Sequence, residues 1–82
     1  MDLFGADLHG ADLNHANLIR AFLGFATLQS ANLQSANLRG VDLRGADLRY
    51  ANLQDADLRG ANLRGAKTEG CNMVGIIGTP IT

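Results

Sequence analysis

Apolar residues recur along this chain at two places in every five, and the phase never slips. Divided from Met1, residues 1–75 fall into fifteen pentads without an insertion or deletion. The first position is Ala in twelve of them, with Met1, Val41 and Cys71 as exceptions. The third is Leu in thirteen, until Thr68 and Met73. The polar second position is Asp or Asn in twelve, broken by Phe22, Thr27 and Lys67. The fourth and fifth positions vary, with Gly commonest at the fifth.

This period excludes the two ordinary elements. An α-helix turns about 100° per residue, so successive leucines would step roughly 140° around it and define no buried face. In a continuous strand an odd period would send alternate leucines to opposite sides. The pattern predicts a short extended segment with a corner. Ala and Leu, two apart, point inward while Asp or Asn points outward. The last two residues turn the chain, where Gly tolerates positive φ and the Asp or Asn side chain can bond nearby backbone.

Residues 31–65 read ANLQS ANLRG VDLRG ADLRY ANLQD ADLRG ANLRG. The stretch resembles the pentapeptide-repeat family, whose motif is A-(D/N)-L-x-x, and the likeness extends over all fifteen pentads. The resemblance implies an all-β fold, a right-handed quadrilateral parallel β-helix with four pentads per coil. Fifteen pentads then make just under four coils, a stack about 19 Å tall at the spacing of neighbouring strands. Residues twenty apart share a column, so Leu3, Leu23, Leu43 and Leu63 stack inside.

Residues 1–75 are therefore expected to form the solenoid, and residues 76–82 a C-terminal tail. That apolar tail, Ile76 to Thr82, is a candidate end cap folded across the last coil, with Pro80 discouraging further strand pairing. Before the first pentad no cap is evident. An uncapped edge offers unpaired backbone groups to another chain, which predicts self-association through a coil end, or else that the chain is part of a longer one.

Composition narrows the chemistry. Seven bases against eight acids give a net charge of −1, which favours neither nucleic acid nor an acidic partner. One cysteine excludes an internal disulfide and fits a reducing compartment. No stretch resembles a signal peptide or a membrane span, so a cytoplasmic protein is expected. Arg39, Arg44, Arg49, Arg59 and Arg64 all hold the fourth position. Asp42, Asp47 and Asp57 lie two residues before three of them, which suggests a mixed-charge lattice rather than a phosphate-tracking ladder.

His9 and His15 have no metal-ligand spacing, and Cys71 stands at an inward position normally held by Ala. Repetition gives every motif Asp nearly the same environment, whereas catalytic carboxylates need distinct ones. No enzyme activity, catalytic residue, metal or cofactor is expected.

The informative departure is Ala21-Phe22-Leu23-Gly24-Phe25, where Phe22 replaces the polar second position. Column arithmetic puts Phe4 on the same side and Ile19 on the face just before it. Phe4, Ile19, Phe22 and Phe25 are the candidate contact surface, for a protein partner or a second copy; mutual shielding of the rings is the competing reading. The expected function is a non-catalytic structural or protein-interaction solenoid. The alternative, implied by the family, is a DNA mimic that targets a type II topoisomerase such as DNA gyrase.

Overall fold

Why the motif needs Asp or Asn at its second position is answered by following its backbone N–H groups. In a computed structural model describing residues 1–82, each pentad sends them in a fixed set of directions. The second-position N–H donates to the coil before it, as Phe22 does to the Met1 carbonyl at 2.9 Å. The third and fifth donate to the coil after it, as Leu3 does to Phe22 at 2.7 Å and Gly5 to Gly24 at 2.9 Å. The first closes the preceding corner, Ala6 N–H to the Leu3 carbonyl at 3.0 Å. Only the fourth N–H finds no backbone acceptor, and the second-position Oδ1 takes it: Phe4 N–H to Asp2 at 3.1 Å, Gln34 N–H to Asn32 at 3.1 Å, Arg64 N–H to Asn62 at 3.1 Å. A buried or half-buried donor without a partner is costly, so this residue choice completes the pentad.

The chain is a parallel β solenoid with no helix. Its strands are single-residue parallel bridges between second positions twenty residues apart, Asp2 with Phe22, Phe22 with Asp42, Asp42 with Asn62, and likewise on every side. Every fifth-position residue of the fifteen pentads has positive φ, and seven of them are not glycine: His15, Arg20, Phe25, Ser30, Ser35, Tyr50 and Asp55, at 55–62°. With the hydrogen bond from the first residue of the next pentad, this is the geometry of a type II turn.

The interior is made of the inward columns. Leu18 through Leu63 contribute nineteen buried apolar residues, all from first and third positions. Leu3, Leu8 and Leu13 at one end, and Met73 and Ile76 at the other, are only partly buried. At the first coil the N–H groups of Asp2, Asp7, Asp12 and Asn17 have no acceptor within the chain.

The tail departs from the expected plug. It continues the ladder along the solenoid: Ile77 pairs with Asp57 and Ile81 with Asn62. Ile81 arrives one residue early, an offset of nineteen instead of twenty. Pro80 does not end the pairing, since Ile81 N–H still donates to Ala61 at 3.0 Å and its carbonyl accepts Leu63 N–H at 2.7 Å. Pro80 is aligned with Ala61, a position whose N–H elsewhere closes only its own turn, so the missing donor removes no bond between coils.

Candidate functional site

The outer walls are set by what occupies the second, fourth and fifth positions in each twenty-residue column. The corner of interest carries Phe4, Gly24, Arg44 and Arg64 in its fourth-position column, and Gly5, Phe25, Gly45 and Gly65 in its fifth. Phe4 reaches up over Gly24, where an added Cβ would stand 3.2 Å from its ring. Phe25 likewise covers Gly45, whose Cβ would come within 2.5 Å of the ring. The two rings meet edge to face, centroids 5.7 Å apart at 63°. They nonetheless remain 67% and 65% exposed, so mutual contact shields only a minor part of each.

Phe22 projects from the wall beside them and is 55% exposed. Its presence removes the side-chain acceptor, and the N–H of buried Gly24 makes no hydrogen bond within the chain. A groove of about 350 Å³ runs along this corner between Phe4, Gly24, Phe25, Asp42 and Arg44. Ile19 is not part of it. It lines a separate groove on the preceding corner with Arg20, Arg39, Gly40, Arg59 and Gly60.

The expected charge lattice is specific to three pentads. Arg44, Arg49 and Arg59 each fold back on the Asp two residues before, Nε and Nη2 gripping both carboxylate oxygens, at 2.9 and 2.7 Å for Arg44. These hydrogen bonds hold the Asp42 carboxyl below its ordinary range and bring Asp47 and Asp57 down to about 2. Arg39 and Arg64 follow Asn rather than Asp and make no ion pair.

Cys71 is half-buried, and burial pushes its thiol up to about 11, so it carries little thiolate at neutral pH. His9 and His15 lie on different walls, and no three His, Cys, Asp or Glu side chains converge as metal ligands.

Two local features of the backbone and corners escaped the sequence reading. One is the orphaned Gly24 N–H, legible only after the fourth N–H is known to depend on position two. The other is a pairing along the corners: Arg20, Phe25, Tyr50 and Asp55 each lie over the glycine twenty residues on, Gly40, Gly45, Gly70 and Gly75.

Comparison with known proteins agrees with this construction. A family model described as pentapeptide repeats matches residues 6–45, 26–65 and 42–77, in eight copies. The crystal structure of alr5209, a pentapeptide repeat protein from Nostoc PCC 7120, is 47% identical with a TM-score of 0.90, over 92% of this chain and 62% of that one. Rfr23, a pentapeptide repeat protein from the cyanobacterium Cyanothece 51142, is 35% identical at TM-score 0.58, over 92% and 56%. QnrB1, a plasmid-mediated fluoroquinolone resistance protein, shares the fold at 23% identity and TM-score 0.54, over 92% and 57%. This chain thus spans under two-thirds of the length of each. No curated protein matches it, and none of the similarities indicates a catalytic family. By its repeats and its solved relatives, the chain belongs to the pentapeptide-repeat family.

Proposed function

We propose that this chain is a non-catalytic interaction module: a right-handed, four-sided helix of just under four coils that docks a protein partner in the cytoplasm through Phe4, Phe22 and Phe25. The observation that carries this reading is Phe22. Elsewhere on this wall Asp2, Asp42 and Asn62 satisfy the fourth-position N–H. Phe22 leaves the buried Gly24 N–H without a partner and exposes an aromatic ring instead. An unsatisfied buried donor costs about 1–3 kcal/mol, and no interior packing offsets it, because the ring points outward. A buried donor left unsatisfied calls for an explanation, and an exposed aromatic ring in its place supports docking.

Affinity capture from the source cell extract tests the proposal with three proteins: native, F22D/F25S, and Q34A/Q54A on the third wall. A specific partner lost only from F22D/F25S supports docking at the patch. The same partner retained by that variant contradicts it. Analytical ultracentrifugation of the same proteins tells whether the patch or a coil end instead joins two copies.

Topoisomerase targeting, raised by the family resemblance, is the second reading. The surface weighs against it. Asp42, Asp47 and Asp57 are neutralised by their own arginines, the net charge is −1, and the chain measures 26 × 21 × 21 Å. A polyanionic duplex is poorly imitated by such a body. Inhibition of gyrase supercoiling at micromolar concentration would reverse the ranking.

A further inference from the structure

We propose that the corner groove between Arg20, Arg39 and Arg59 is a binding site for a phosphate-class oxyanion, inorganic phosphate or a small phosphomonoester. The groove is an open one of about 380 Å³ on the surface. Its shape follows from two glycines in successive coils. A Cβ built on Gly60 would meet only the Gly40 backbone, at 3.6 Å, so the floor is bare main chain. Arg20 has positive φ and lays its aliphatic stem over Gly40, Cγ standing 3.2 Å from a Cβ built there. Arg39 and Arg59 occupy the adjoining fourth-position column, one coil apart.

Charge singles this corner out. Arg44 and Arg49 are clamped by their own Asp, as is Arg59 by Asp57. Arg39 follows Asn37, which accepts the Arg39 N–H but brings no charge, and Arg20 has no acidic partner. Three guanidiniums against one carboxylate leave the groove at +2 in a chain whose net charge is −1. Guanidinium forks suit tetrahedral oxyanions, to which they donate two parallel hydrogen bonds.

The test is a titration of the 15N-labelled protein with inorganic phosphate, followed by amide and arginine Nε–H shifts. Sodium chloride at matched ionic strength is the control, and phosphoserine a second arm. Saturable shifts confined to Gly40, Gly60, Arg20, Arg39 and Arg59 are expected. Arg39→Gln should weaken binding roughly two- to fivefold, the contribution of one exposed ion pair, and Arg20→Gln similarly. Asp57→Asn, which releases Arg59, should tighten it roughly twofold. Phe22→Asp should leave it unchanged, so the result stands apart from the aromatic patch. Saturation by phosphoserine as well as phosphate assigns the site to monoesters; saturation by phosphate alone assigns it to the free ion. Shifts that chloride reproduces, or affinities unmoved by Arg39→Gln and Arg20→Gln, would overturn the proposal.

Discussion

Each residue of the pentad has a job set by a hydrogen bond or by steric room, so single substitutions have graded consequences. Glycine at the fifth position illustrates the grading. Gly10 has φ +67° and nothing within 4 Å of an added Cβ, whereas at Gly45 that Cβ would lie 2.5 Å from the Phe25 ring. Gly10→Ala should cost about 1 kcal/mol, the left-handed conformation alone. Gly45→Ala should add about 1–3 kcal/mol from the clash. Urea unfolding would measure both, and Phe25→Ala should remove most of the difference.

Acid provides a second residue-scale test. The carboxyls of Asp47 and Asp57 fall to about 2 through their arginine hydrogen bonds, and Asp42 shifts the same way. The folded state thus holds these protons less tightly than the unfolded chain. Their stabilisation is fully present above the ordinary carboxylate value near 3.8 and is lost as pH falls through about 2. Thermal melts across that window should fall more steeply for the native chain than for D42N/D47N/D57N, and parallel curves would count against the pairs.

At the scale of the coil, burial is uneven along the axis. Leu38 is wholly buried between coils, while Leu8 on the first coil has neighbours on one side only and is partly exposed. Leu38→Ala should cost about 2–5 kcal/mol. Leu8→Ala should cost about half that, because less area returns to water. Equal losses on denaturant unfolding would mean that the first coil is covered in solution by something else. The strand-and-corner unit was legible in the sequence because inward Ala and Leu two apart admit no other regular element. Its closure after twenty residues was not, since spacing alone does not fix how many corners make a circuit; that came from the family resemblance. The tail misled for a physical reason. Pro80 lacks an N–H, but it stands where that N–H would not have joined two coils, so Ile81 pairs regardless.

Across the whole molecule, regular walls and irregular spots divide the work. The Asp–Arg lattice and the Asx acceptors recur because equivalent positions meet equivalent needs, and such repetition carries no specificity. Departures stand out: Phe22 with its orphaned Gly24 N–H, and the corner where Arg20 and Arg39 form no ion pair. Phe4, Phe22 and Phe25 could be read as one surface from column arithmetic. Column arithmetic already put Ile19 on the preceding face, and the structure adds that it lines a different groove. The arginine groove escaped because its members belong to different pentad positions, joined only when Gly40 and Gly60 leave the floor open.

Whether Phe22 serves an interaction rather than the fold is read most simply from the unfolding free energy of Phe22→Asp. Asp restores the acceptor for the Gly24 N–H, so the variant should be more stable than the native chain by about 1 kcal/mol. A loss of about 1 kcal/mol or more would mean instead that the ring holds the coil together.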